Sequence, residues 1–267
     1  TGLIISLFVS WKAQVILSNS FATKTMLVKK FFIPEKKIQV LHNGINTLLN
    51  PECGINQKKH SSIFYIGFIG RLDSPKGVHV LVDAMQYLKN SNIKLIIAGE
   101  GVLGDILKKS SSKLHNVKFI GRVKDPCLFM NKIDLLIVPS IREPLGNVCL
   151  EAGLCKVPVL AANVDGLPEI IEDKVSGELI EATDQVLVDL EEGAVPLPEF
   201  VVNPDTQQLC LPKQINPTLL AKQILGLSTE PNKLNYYAVN LHDKVTSYFN
   251  INRYSAELYK VYSEMLF

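Results

Sequence analysis

Two stretches of this sequence bring together cations and carboxylates that could hold an anionic ligand. The first is Phe68-Ile69-Gly70-Arg71-Leu72-Asp73-Ser74-Pro75-Lys76-Gly77. It leaves an apolar run of strand length, turns at Ser74-Pro75 and opens onto a helical pattern. Arg71 can fork onto phosphate oxygens and Lys76 supplies a mobile point charge, so the pair would offset most of the charge of a diphosphate. The second is Pro139-Ser140-Ile141-Arg142-Glu143-Pro144-Leu145-Gly146-Asn147-Val148-Cys149-Leu150-Glu151-Ala152. Gly146 permits a tight turn into a helix whose first amides, around Gly146, Asn147 and Val148, can face an anion. Glu143 precedes that helix and Glu151 lies just over one turn inside it, so both could flank one ligand, with Glu151 accepting hydrogen bonds from hydroxyls. Each stretch taken alone reads equally well as a solvated turn with surface cations, or as carboxylates favoured by a helix dipole.

Weaker signals stand beside these. Ala98-Gly99-Glu100-Gly101 and Gly121-Arg122-Val123 each follow an apolar run. Glycine-rich joints of this kind are common for structural reasons alone, and Arg122-Val123 could face a nucleobase or be an ordinary loop. His42, His60, His79, His115 and His242 show no ligand spacing. Cys149 and Cys155, six apart around one helix, read as packing residues.

The elements that must position these residues are legible as alternating patterns. Apolar runs at 63–69, 93–98, 117–120, 134–138 and 157–161 alternate with helical patterns at 78–88, 103–109, 147–154 and 167–171. Strands that are apolar throughout, with helices between them, indicate a parallel sheet covered on both faces. The expected fold is therefore α/β, a Rossmann-like doubly wound parallel sheet over residues 62–250. Every motif above falls at the carboxyl edge of that sheet, where open α/β sheets bind ligands.

Residues 1–48 carry a smaller pattern: an apolar segment at 14–17, a helix at 21–32 and an apolar segment at 38–41 before His42-Asn43-Gly44. One strand–helix–strand unit cannot bury its own faces, so this stretch reads as the tail of an upstream domain whose apolar surface is left partly uncovered. Residues 49–61, polar and bearing Pro51 and Gly54, read as a linker. The stretch 183–215, with Pro196, Pro198, Pro204 and Pro212 and acidic Asp189, Glu191 and Glu192, reads as an inserted loop or hairpin without an assignable role. Helical patterns at 217–227, 234–249 and 253–267 close the chain, the last with Tyr254, Leu258 and Tyr262 on one stripe.

Bulk properties narrow the function classes. A chain of 267 residues, 47% hydrophobic, can bury one full core. Its net charge of +2, from 28 basic and 26 acidic residues, creates no field that would make nucleic acid or an anionic membrane the main partner. Five cysteines (Cys53, Cys127, Cys149, Cys155, Cys210) without a CxxC pair suggest neither a disulfide framework nor a zinc site, and a reducing cytoplasm is expected. The apolar run at 1–9 stops at Ser10-Trp11-Lys12, short of the ~20 residues that span a bilayer, and no basic region precedes it. A start at Thr1 rather than Met reads as a chain that begins mid-protein.

Taken in order, these segments resemble the retaining family-4 glycosyltransferases of the GT-B fold. The resemblance runs from about Val15 to Glu181 and resumes in the C-terminal helices. It is carried by Val40-Leu41-His42-Asn43-Gly44-Ile45, Gly70-Arg71 to Lys76-Gly77, Gly99-Glu100-Gly101, Glu143-Pro144-Leu145-Gly146 to Glu151-Ala152, Pro158-Val159 and Gly166-Leu167-Pro168-Glu169. It implies a nucleoside-diphosphate sugar as donor, UDP being the first expectation, and a glycan or lipid acceptor of the surface-polysaccharide kind. Arg71 and Lys76 would hold the diphosphate and stabilise the leaving group. Glu151 would bind ribose hydroxyls, amides around Gly146–Val148 would face phosphate or sugar, Glu143 would lie at the sugar ring, and Arg122-Val123 would meet the base. No metal or other cofactor is implied. The family often has Phe at Leu145 and Gly at Lys156 and Asp165. The acceptor domain would lie upstream or in a partner chain, with residues 251–267 packing onto it, a peripheral association with the inner face of a membrane passing through it, and transfer depending on it. A non-catalytic nucleotide-sugar-binding module and a sugar-nucleotide epimerase are the alternative functions on the same fold.

Overall fold

The computed structural model describes residues 8, 10–47, 62–188 and 193–266. The linker expected at 49–61 and the acidic residues Asp189, Glu191 and Glu192 lie outside them. The described chain opens on β1 (Ile16–Ser18), α1 (Phe21–Phe31) and β2 (Ile38–Val40), the two strands pairing in parallel. There follow β3 (Phe64–Ile69), α2 (Val78–Tyr87), β4 (Ile93–Ala98), α3 (Gly104–Ser110), β5 (Val117–Phe119), α4 (Pro126–Met130) and β6 (Leu135–Val138). After these come α5 (Asn147–Leu154), β7 (Val159–Ala162), α6 (Leu167–Ile170) and β8 (Glu178–Ile180).

β3 to β8 form one sheet in the order β5-β4-β3-β6-β7-β8, with every pairing parallel. The strands of the sheet's right half explain themselves by sequence. Leu-Leu-Ile-Val in β6 and Val-Leu-Ala-Ala in β7 are buried at every position, as strands covered on both faces must be. β5, at the edge, is only partly buried and turns Lys118 outward, which blunts an edge that would otherwise invite pairing. The order steps one way from β3 to β5 and the other way from β6 to β8. The switch therefore lies between β3 and β6, and a crevice opens at their carboxyl ends.

The expected strands and helices are present within a residue or two at most ends, and two short elements add to them. α4 is five residues long, too short to show helical periodicity, and is started by Pro126 and by Asp125, which accepts from the amides of Cys127 and Leu128. β8 begins with buried Glu178, which breaks the apolar run. Its carboxylate is satisfied by the Tyr237 hydroxyl at 2.9 Å, by Lys233 at 2.7 Å and by the Gln223 amide.

The insertion forms β9 (Ala182–Gln185), β10 (Val201–Val202), β11 (Leu209–Cys210) and β12 (Lys213–Ile215). β9 pairs with β12, and β10 with β11, both antiparallel. The β10–β11 hairpin turns on Asn203, whose side-chain oxygen accepts from the Asp205 and Thr206 amides. The segment has a place in the architecture after all. Val202 forms a small core of its own with Ala22 and Met26 of α1, flanked by Phe31, Phe200 and Leu209. Lys29 donates to the Gln207 carbonyl at 2.6 Å, and Lys30 meets Glu199 at 2.6 Å. The hairpin thus covers part of the apolar surface of residues 1–48, and Trp11, Phe21 and Phe32 remain exposed, so that surface is left partly uncovered as expected.

α7 (Pro217–Ser228) packs on α2, α8 (Pro231–Ser247) packs on α5, and α9 (Ile251–Leu266) ends the described chain. The start of α9 is tied to the crossing segment. The Ile45 amide donates to the Phe249 carbonyl at 2.7 Å, the Ile251 amide donates to the Ile45 carbonyl at 2.9 Å, and Arg253 Nη2 donates to the His42 carbonyl at 2.6 Å. Tyr254 and Leu258 are half-buried and Tyr262 is exposed. Cys149 and Cys155 are buried, as packing residues should be, and Cys210 is exposed. No described helix is long and apolar enough to cross a membrane.

Candidate functional site

The crevice between β3 and β6 holds a cavity of about 470 Å³. Gly70, Arg71 and Lys76 enter it from the loop after β3, and Glu143, Leu145 and Gly146 from the loop after β6. Asn147, Val148 and Glu151 enter it from α5. The two loops are latched together. Ile141 and Arg142 donate their amides to the Pro75 carbonyl at 2.9 and 3.1 Å. Gly77, at φ 65°, closes the turn of Ser74–Lys76, and a Cβ there would stand 1.9 Å from the Pro139 oxygen. Any other residue would force the loops apart.

Latching brings Lys76 and Glu143 into direct contact. The Lys76 ammonium lies 2.6 Å from Glu143 Oε2, which also accepts from the Ser140 hydroxyl at 3.2 Å. Glu143 is 7% exposed, so this pair is shielded from water and from salt. Arg71 differs. Its side chain is 71% exposed and stands 3.5 Å from the buried Asp73 carboxylate, which tethers the guanidinium at the mouth of the cavity without enclosing it. The cations expected to meet one ligand therefore line one cavity, Lys76 held by Glu143 and Arg71 exposed beside Asp73.

α5 begins at Gly146, whose φ of 100° is left-handed, and no side chain caps it. Its first amides remain available to a ligand, with the positive end of the helix behind them. One turn on, burial pushes the Glu151 carboxyl above its ordinary range, and no described residue is hydrogen-bonded to it. Glu151 also lines a second cavity of about 340 Å³, whose far side is Asn43, Gly44, Ile45 and Tyr254. A shielded carboxylate without a partner is a group that ligand hydroxyls would satisfy. Cys149, beneath both carboxylates, is no nucleophile, because burial and the nearby Glu143 charge push its thiol far up.

The remaining expected residues sit beside the cavity and outside its lining. The loops after β4 and β5 join where the Gly99 amide donates to the Gly121 carbonyl at 2.8 Å. Glu100 is exposed there, and Val123 packs half-buried against the core. They share the sheet edge with Arg71 but not its cavity. Among the described residues no group of three or more His, Cys, Asp or Glu side chains could hold a metal ion.

The structure also brings in residues that spacing could not reveal. Asn19, after β1, lines the main cavity opposite α5. Glu169 accepts from the Phe21 and Ala22 amides at 2.9 and 3.0 Å, completing the cap that Ser20 gives α1, and its Oε2 lies 2.7 Å from His42 Nε2. His42 Nδ1 in turn meets the Tyr248 hydroxyl at 3.1 Å. Glu169 lies 127 residues from His42 and 148 from Phe21 in the chain, so no local pattern links them. Lys156 and Asp165, where the resemblance expects glycine, sit at φ 53° and 45°. The left-handed backbone is kept while the residue that favours it is not.

Known proteins resemble this chain in sequence and in fold. A glycosyltransferase of Methanocaldococcus jannaschii, MJ1607, is 35% identical over 183 residues, covering 63% of this chain and 47% of that protein. An N-acetylgalactosaminyltransferase of Campylobacter jejuni that acts on a diphospho-undecaprenol-linked saccharide is 33% identical over 182 residues, covering 65% and 48%. The chain spans about half the length of the curated relatives it matches. Anabaena HepE, solved with UDP-glucose, superposes with a TM-score of 0.77 at 22% identity over 98% of this chain and 67% of HepE, and so shares its GT-B fold. The model of the family described as glycosyl transferases group 1 matches residues 52–190, more than half of the chain, and the chain belongs to that family.

Proposed function

We propose that this chain binds a nucleoside-diphosphate sugar, UDP-sugar first, in the β3–β6 crevice and transfers the sugar with retention to a glycan or lipid-linked acceptor. The observation that carries the proposal is a single cavity that gathers the two cations Arg71 and Lys76, uncapped amides of α5 at its floor and the unpartnered Glu151 on its wall. A diphosphate needs the first two and a ribose needs the third.

Within this reading Arg71 and Lys76 hold the diphosphate and stabilise charge as the sugar–phosphate bond breaks. The 2.6 Å contact between Lys76 and Glu143 supports placing the junction of phosphate and sugar beside both. When the donor enters, phosphate shares Lys76, and Glu143 turns its freed acceptor capacity to the sugar ring. Glu151 takes the ribose hydroxyls, and Arg122 and Val123, on the neighbouring loop, extend the site toward the base. No metal enters the scheme, because two cations and a helix N-terminus balance the diphosphate. Residues 62–250 form the donor domain, and Asn19 and the crossing at His42 belong to the acceptor side of the cleft, onto which residues 251–267 dock. The names of the relatives support a glycan or lipid-linked acceptor, and the HepE complexes with UDP and UDP-glucose support uridine.

Thermal denaturation with UDP, GDP and ADP tests the proposal. A ligand that binds only the folded state raises the midpoint, by about 2.7 kcal/mol of stability at a hundredfold excess over Kd. UDP should raise it most. No rise with any of the three would overturn the assignment of the cavity.

A further inference from the structure

We infer that Asp165 is a positioning residue that ties the β10–β11 hairpin to the Glu143 backbone and so holds Glu143 at the sugar end of the cavity. The inference rests on the donor site proposed above and concerns a residue outside the cavity's lining.

Asp165 is 5% exposed, and each of its carboxylate oxygens serves a different segment. Oδ2 accepts from the Glu143 amide at 3.0 Å, and Oδ1 accepts from the Val202 amide at 2.7 Å. Both bonds are answered from the other side. The Gly166 amide donates to the Glu143 carbonyl at 3.1 Å, and the Asp165 amide donates to the Val202 carbonyl at 3.1 Å. Glu143 is thereby gripped at both its N–H and its C=O by residues 165 and 166, and Asp165 is itself bonded to Val202 of β10 through both its amide and its carboxylate. From the backbone so held on two sides, the Glu143 side chain reaches Lys76 and Ser140.

The backbone of Asp165 argues that this arrangement is specific. A φ of 45° is comfortable for glycine and strained for a residue with a Cβ. Aspartate tolerates it better than most residues, yet glycine would fold there with less strain. The strain is compensated by bonds that only a carboxylate can make, since two separate N–H groups approach and both require an acceptor. Asparagine could accept one and would point its own N–H₂ at the other. The hairpin end of the tie is anchored in turn, because Val202 packs on Ala22 and Met26 of α1. The insertion thus reaches from the N-terminal unit, across the hairpin and Asp165, to the loop that carries Glu143.

The test compares the full chain with D165N and D165G. Amide hydrogen exchange is followed over residues 141–146 and over β4 as a control, and affinities for UDP and for UDP-glucose are measured by calorimetry. In D165G the Glu143 amide should exchange about tenfold faster while β4 is unchanged, the scale of losing one hydrogen bond to a charged acceptor. UDP-glucose binding should weaken by about tenfold in D165G, with UDP affinity kept within about twofold, and D165N should fall between wild type and D165G. A merely structural role for Asp165 would weaken both nucleotides in proportion, and that result would overturn the inference. So would an unchanged Glu143 amide in D165G. If wild type bound neither nucleotide, the donor reading would fall, and the exchange arm alone would still decide whether Asp165 holds Glu143.

Discussion

Replacing Glu151 with Gln should make the protein more stable and a poorer nucleotide binder at the same time. Burial raises the Glu151 carboxyl because no described group compensates its charge. A carboxyl whose folded-state value is raised destabilises the fold wherever it must stay ionised. That penalty is fully present above the raised value and disappears as pH falls through it toward the unfolded value of about 4.3. Gln is nearly isosteric and carries no charge, so E151Q should show a higher thermal midpoint than wild type at pH 7.5, with the gap closing toward pH 4.5. Binding moves oppositely. Ribose hydroxyls donating to a carboxylate are worth about 1–3 kcal/mol net, so UDP affinity should fall roughly 5- to 150-fold in E151Q. Scanning fluorimetry across the pH range and calorimetry with UDP read the two effects separately. A midpoint below that of wild type at pH 7.5 would refute the unpartnered-charge argument. Unchanged UDP affinity would refute the ribose contact.

The other expectations follow from the same contacts. Arg71→Ala combined with Lys76→Ala should abolish the UDP-induced rise in midpoint, and a retained rise would remove the diphosphate site. Glu143→Gln should leave UDP affinity within about twofold while weakening UDP-glucose; equal losses for both would place Glu143 elsewhere. Met26→Ala should lower the urea-unfolding free energy by about 2 kcal/mol, the low end for a buried truncation because its core is small. For Glu178 the sign is reversed: Lys233, Tyr237 and Gln223 hold its carboxyl below the ordinary range, so its stabilisation is present above the unfolded value and is lost as pH falls through the folded one. Titrating stability from pH 7 to pH 3 should therefore show a steeper acid loss in wild type than in Glu178→Gln.

The sheet was legible because buried parallel strands are written as uninterrupted apolar runs. 93–98 and 134–138 could hardly be anything else once helical patterns separated them. Arg71, Lys76, Glu143 and Glu151 were legible for a topological reason: each sits just after a strand, and the carboxyl ends of β3 and β6 converge at the switch point. What stayed hidden was pairing across long separations. Glu169 capping α1 while touching His42, and Val202 reaching Met26, involve partners that share no period and no neighbourhood in the chain. At 183–215, prolines and a lack of helical period indicated a loop or hairpin, and hairpins form there, but nothing in the composition pointed to their packing on α1. Two-residue strands such as β10 carry no detectable alternation, so the hairpin's packing emerged only in three dimensions.

Two carboxylates make the division between support and function concrete. Glu178 and Glu151 are both withdrawn from water, yet Glu178 is surrounded by a hydroxyl, an amide and an ammonium, and its carboxyl is lowered. Glu151, at the cavity, has none of these and is raised. Folding alone selects for the first arrangement, because an uncompensated buried charge lowers stability. A ligand carrying hydroxyl donors would supply what Glu151 lacks. Asp165 stands between them: two backbone amides oppose the effect of its burial, but its left-handed backbone keeps a strain that glycine would relieve. Glu151 lines the β3–β6 cavity and Asp165 grips the loop that lines it, so both carboxylates stand where a ligand would be held.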